Sequence, residues 1–112
     1  MELSEDILQC ANLVKQGDYE RYRVIMTLDP KSRSDLFVLM AANIEISRAP
    51  WVSRESLISE IRLRWWLDAI EEIESDKVVR RHFVTSPLEA ILSGSQTKLI
   101  KGTITARSWD IN

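Results

Sequence analysis

Cys10 and His82 are the only cysteine and histidine in the 112 residues, so a thiol–imidazole nucleophile would have to join those two side chains. Cys10 falls on the apolar side of a helix-periodic stretch with Ile7, Ala11 and Val14. A small buried thiol is the ordinary occupant of such a position. One Cys and one His cannot supply the four N or S ligands of a zinc site. Neither a glycine-rich phosphate loop nor a Walker pattern is present. The charge balance, 15 Lys and Arg against 17 Asp and Glu for a net of −2, does not suit the usual basic nucleic-acid binder. A single cysteine also excludes an internal disulfide framework.

Binding chemistry is better represented. The string Arg62-Leu-Arg-Trp65-Trp66 combines guanidinium groups with two indoles. On a helix the two tryptophans point about 100° apart, so they cannot share one face. Periodicity places Trp65 in the core stripe. Trp66 is free to line a cavity, cover a neighbouring helix or anchor an interface. Arg62 lies four residues before Trp66 and can stack on it, although core packing is the ordinary role of both indoles. Asn43 and Glu45 interrupt a strongly apolar stretch, as core hydrogen-bonders or as the polar lining of a pocket. Glu45 can also reach Arg48 or Arg62. The candidate pocket or interface is therefore Asn43, Glu45, Arg62, Trp65 and Trp66, with no catalytic or metal-ligating residue. Arg21, Arg23, Lys31 and Arg33 could meet phosphate groups, but Asp18, Glu20, Asp29 and Asp35 are interspersed, which favours a solvated mixed face.

The elements that position these residues read as helices throughout. Ser4 is placed to cap a first helix with Glu5 and Asp6 in its opening turn, ending at Gly17. Asp18 caps a short second helix carrying Tyr19, Tyr22, Ile25 and Met26. Asp29-Pro30 opens the third, since proline at the first helical position loses no needed N–H. It runs through Leu36, Phe37, Met40, Ile44 and Ser47 and stops near Ala49-Pro50. Ser53 caps the fourth, with an inner stripe of Ile58, Ile61, Trp65, Ala69 and Ile73, widened by Leu57, Trp66 and Ile70. The acids Glu71, Glu72, Glu74 and Asp76 oppose the dipole at its end and are read as solvating. Val78 to Thr85 is a short helix or an extended link. Ser86-Pro87 starts another short helix through Leu88, Ile91 and Leu92, closed by Gly94. Ser95 opens the last, through Leu99, Ile100, Ile104 and Trp109. No stretch alternates with period two, so the expected fold is all-α, with five or six helices. Hydrophobic residues at 45 % and charged residues at 29 % are a globular balance. No apolar run approaches the roughly 20 residues that span a bilayer. The acidic start Met1–Asp6 is not a signal peptide, so a cytoplasmic location is expected.

Taken in order, four stretches resemble the N-terminal part of the squalene/phytoene synthase family. Asp18-Tyr-Glu-Arg-Tyr22 with Leu28-Asp-Pro30 and Arg33 is similar to D-x-x-R-Y followed by x-x-P-x-x-R. Leu36 to Glu45 reads L-x-x-L-x-A-x-N-x-E. Arg62-Leu-Arg-Trp65-Trp66 with Ile70 matches R-L-x-W-W-x-x-x-I. Arg81-His82, Pro87-Leu88 and Ala106-Arg107 with Asp110 complete the series. The resemblance covers almost the whole chain.

The resemblance implies an isoprenoid-synthase-like helical bundle, of which residues 1–112 would form a single, truncated domain. Active members condense two prenyl diphosphates head to head with magnesium. Paired Asp-rich motifs hold the Mg²⁺ ions that neutralise the departing diphosphate. The first of these would fall just after Leu39-Met-Ala-Ala42, where this chain has Ser47-Arg-Ala-Pro-Trp51, and Trp51 stands where an aspartate is expected. The second lies downstream of Asp110 in the family. A Ser-Phe pair of active members reads Arg21-Tyr22 here, and Phe83 follows His82 in place of proline. The wording at Asn43 and Glu45 is closer to the non-catalytic branch, which includes a respiratory complex I assembly factor.

The implied function is a catalytically inactive binding or assembly module that carries no cofactor of its own. The alternatives are a portion or subunit of a prenyl transferase acting on farnesyl or geranylgeranyl diphosphate, and an unrelated helical interaction protein. An uncovered hydrophobic face would favour a homo-oligomer. Other expected partners are a protein or a prenyl lipid, with no nucleic acid and at most peripheral membrane contact.

Overall fold

The computed structural model describes residues 2–75, 77–92 and 94–111, with side chains for all of these except 2–4, 94 and 95. Among them are six α-helices and no strand: α1 (Glu2–Gly17), α2 (Tyr19–Ile25), α3 (Pro30–Arg48), α4 (Ser56–Glu74), α5 (Thr85–Ile91) and α6 (Gly94–Ser108), with a 3₁₀ turn at Ala49–Trp51. The all-α expectation holds. None of these helices is long and apolar enough to cross a membrane. Contacts divide the chain into two compact units, Met1–Ile44 with Arg81–Ile91, and Glu45–Arg80 with Leu92–Asn112.

In the first unit α1 packs against α2 and α5. Helix α1 begins at Glu2, ahead of Ser4, whose side chain lies outside the described residues. Its inner side carries Cys10 and Val14, both fully buried. The two Asp caps form as their spacing predicts. Asp18 Oδ1 accepts from the Arg21 amide at 3.2 Å, and Asp29 Oδ2 accepts from the Ser32 amide at 3.1 Å. Each satisfies a first-turn donor that has no partner inside the helix. Tyr22 stacks on Phe37 with ring centroids 5.6 Å apart. The stretch before α5 is a link, not a helix. Ser86 is not the cap of α5, which starts one residue earlier at Thr85. Its Oγ accepts from the His82 amide at 3.4 Å, while His82 Nδ1 accepts from the Val84 amide at 3.1 Å.

In the second unit α4 lies along α6, and the 3₁₀ turn packs on both. Helix α3 gives way after Arg48 to the 3₁₀ turn Ala49–Trp51, where Pro50 has no N–H to continue the α-helical ladder. Ser53 does not cap α4. The helix starts at Ser56 with Glu55 in the cap position, and Ser53 Oγ accepts from the Glu55 amide at 3.1 Å. The inner stripe of α4 is Ser59, Leu63, Trp66, Ala69 and Ile70. The expected stripe members Ile58 and Ile61 are exposed instead, as is Leu57. The reason is that the first half of α4 is apolar on two faces. The face that turns inward carries Leu63, Trp66, Ala69 and Ile70, and Ser59 is accommodated on it because its hydroxyl donates to the Pro50 carbonyl at 3.1 Å. In α6, Ile104 is buried as expected, but Thr97 is buried with it while Leu99 faces solvent, as does Trp109 just past the helix end. Gly94, expected to close α5, opens α6. Asp76 lies outside the described residues.

Candidate functional site

Trp65 and Trp66 sit edge to face, with centroids 5.1 Å apart and planes at 81°. Being consecutive on α4, they diverge, and Trp66 takes the core side, fully buried, while Trp65 is half-buried. Periodicity puts Trp65 on the stripe with Trp66 widening it, core packing being the ordinary role of both indoles; the structure centres the stripe on Trp66 instead. The cation on an indole also differs from the expected one. Arg80, from the link after α4, lies over the Trp65 ring at 5.4 Å from its centroid. Arg62 is exposed, while Trp66 is buried.

Arg80 is held there by Glu72, which lies two turns beyond Trp65 on α4. The Arg80 Nε and Nη2 donate to the two carboxylate oxygens at 3.1 and 2.8 Å, and the Arg80 amide donates at 3.0 Å. This forked geometry is the one a guanidinium and a carboxylate favour. The side-chain hydrogen bond from Arg80, with the amide bond behind it, holds the Glu72 carboxyl below its ordinary value of 4.5 and pushes the guanidinium up. Glu74 is tied to α6, accepting from Lys101 Nζ at 2.7 Å and from Thr97 Oγ1 at 3.3 Å. Its carboxyl is also lowered, first by the Lys101 hydrogen bond, and the lysine is raised in return. The acids at the end of α4 were read as solvating. Two of them are instead braces that fix the link and α6 on this helix, and each lies within reach of a cation that sequence order does not bring near.

The other proposed site residues are dispersed. Asn43 and Glu45 are two apart on α3 and point in nearly opposite directions. Asn43 is exposed and belongs to the first unit, Glu45 is half-buried and belongs to the second. Among the described residues no ion pair joins Glu45 to Arg48 or Arg62. Asn43 is therefore not a buried hydrogen-bonder. The cysteine reading also resolves structurally. Cys10 Sγ donates to the Phe83 carbonyl at 3.3 Å within a closed core, and His82 Nδ1 is engaged by the backbone. The basic cluster on α2 and α3 is internally balanced, with Arg21 on Asp18 at 3.4 Å and Lys31 on Asp35 at 3.0 Å.

An open pocket of about 540 Å³ lies beside the 3₁₀ turn in the second unit, lined by Trp51, Arg54, Ser56, Ser59 and Asp110 among others. Trp51 is 71 % exposed. Asp110 is the one carboxylate of that lining, and it pairs with Arg107 at 3.4 Å. Among the described residues no three His, Cys, Asp or Glu side chains converge as a metal site. A Mg²⁺ cluster needs several hard oxygen ligands around each ion. This donor set, one paired carboxylate beside an arginine, does not fit the Mg²⁺–diphosphate group of active prenyl-diphosphate condensing enzymes.

Comparison with known proteins defines the class. The squalene/phytoene synthase family profile matches residues 14–112, and the chain belongs to that family. It is similar to "NADH dehydrogenase (ubiquinone) complex I, assembly factor 6" of Bos taurus, at 32 % identity over 68 % of this chain and 26 % of the relative. The Homo sapiens counterpart is 31 % identical over the same shares. The Drosophila melanogaster homologue is 36 % identical over 56 % of this chain and 19 % of its own length. The chain thus spans about a quarter of the length of the first two relatives. No solved structure matches. A coincidental likeness between unrelated helices is set aside by the family match, and these named relatives are assembly factors rather than enzymes.

Proposed function

We propose that the chain is a non-catalytic member of the squalene/phytoene synthase family that acts as a protein-binding module in the assembly of a respiratory NADH dehydrogenase. The observation that carries this reading is its similarity to complex I assembly factors. The absence of carboxylates in Ser47–Trp51, where the family's first Asp-rich motif is expected, supports it. So does the single, already paired carboxylate in the adjoining pocket. In this reading the chain needs no cofactor, works in the cytoplasm with peripheral membrane contact at most, and takes proteins as partners. A second copy of the chain is one such partner.

The test has two arms. Deleting the gene in its source organism is expected to reduce assembled NADH dehydrogenase on a native gel while its subunits are still made. Unchanged assembly would refute the role. Incubation of the purified chain with Mg²⁺ and farnesyl or geranylgeranyl diphosphate is expected to release no diphosphate. Sustained release would establish the alternative, a portion of a prenyl transferase. A prenyl diphosphate that shifts the tryptophan emission without turnover would identify a lipid partner in place of a protein one.

A further inference from the structure

The first turns of α4 present a second apolar face that the described residues leave open. Leu57, Ile58 and Ile61 are 65, 46 and 60 % exposed. They fall within an arc of about 100° on the helix, roughly opposite Leu63, Trp66 and Ile70, which enter the core. Three aliphatic side chains this open leave a patch on the order of 300 Å², comparable to the largest patch of a typical monomer, which is often functional.

The charges beside the patch indicate what covers it. Glu55 and Arg62 are both exposed, and among the described residues neither side chain forms an ion pair. They are seven residues apart, about two turns, so they flank the same side of the patch. On the other side lie Glu60 and Arg64, and Arg64 is already held by Asp68 at 3.0 Å. A rim of both signs does not suit an anionic lipid surface, which Glu55 and Glu60 would repel. It suits a copy of itself. If two α4 helices run antiparallel about a two-fold axis between residues 58 and 59, Glu55 of each copy lies opposite Arg62 of the other. The apolar residues then meet at the centre. An interface that repeats on both copies needs this self-complementarity.

We propose that the outward face of α4, centred on Leu57, Ile58 and Ile61, pairs with the same face of a second copy of the chain, with reciprocal Glu55–Arg62 ion pairs. This pairing is independent of the assembly role. The patch is smaller than a standard interface, so the dimer is a weak and reversible one.

Sedimentation equilibrium of the full chain over a concentration series tests the proposal. The wild type is expected to self-associate, and Ile61→Asp to abolish association. Glu55→Arg and Arg62→Glu are each expected to weaken it by about tenfold, because like charges then meet twice across the axis. The double variant restores the complementarity and is expected to return to near the wild-type constant, which a folding defect could not do. A wild type that stays monomeric up to about 1 mM overturns the proposal. So does a double variant as weak as either single one, or binding to anionic phospholipid vesicles in the absence of any dimer.

Discussion

The orientation of α4 can be decided by a pair of truncations two residues apart. Leu63 is 4 % exposed and Ile61 is 60 % exposed. Leu63→Ala removes three buried carbons, worth about 2.4 kcal/mol at 0.8 kcal/mol per buried CH₂. A residual cavity raises the loss to about 3 kcal/mol. Ile61→Ala removes carbons of which less than half the surface is buried, about 1 kcal/mol, and alanine's better helix propensity returns about 0.4 kcal/mol of it. The expected net loss is therefore about 0.6 kcal/mol. A 112-residue chain gains about 0.24 kcal/mol/K of entropy on unfolding. The two variants should then lower the thermal midpoint by about 13 °C and about 2–3 °C. Far-UV circular dichroism reads both, at a dilution where the midpoint no longer depends on protein concentration. If Ile61→Ala costs as much as Leu63→Ala, the inner stripe is the Ile58–Ile61–Trp65 one that the periodicity favours, and the structural argument is wrong.

Two further outcomes follow from local geometry. Gly102 lies inside α6, and a Cβ built on it meets nothing within 4 Å, so Gly102→Ala should stabilise the chain by about 0.5–1 kcal/mol. A lowered thermal midpoint would contradict that. Glu72 has its carboxyl held below the ordinary 4.5 by Arg80, so the unfolded chain binds its proton more readily than the native one. The stability it contributes is complete above that ordinary value and fades as pH falls through the lower folded value. Urea denaturation across an acid pH series should show Glu72→Gln with a flatter loss of stability than the wild type below pH 4.5, and parallel curves near neutrality. Curves that stay parallel in acid would show that the Arg80 contact is not maintained.

Much of the backbone could be read directly from residue order, because the signals involved are local. Asp18 and Asp29 cap α2 and α3 through their own third-neighbour amides, and Pro50 ends α3 because it has no N–H to continue the ladder. None of these depends on what packs nearby. The site was less legible. Arg80 lay in a stretch read as a link or helix with no assigned role, and its partner Glu72 was taken for a solvated acid. The available signal was an acid two turns beyond Trp65, with an arginine eight residues further on across a break. Nothing in one dimension says that the break folds back.

Type and spacing by themselves determined that this chain is helical, that Asp18 and Asp29 cap α2 and α3, and that Cys10 falls on an apolar helix face. The family pattern in the Arg62–Trp66 string was likewise written in residue order. Which of the two indoles enters the core was decided only by tertiary structure, as was the outward turn of Leu57, Ile58 and Ile61. A helix with apolar residues on two faces satisfies the 3.6-residue period in either orientation. The choice is made by what it packs against: the face with Leu63, Trp66, Ala69 and Ile70 is buried, beside a helix α6 braced through Glu74.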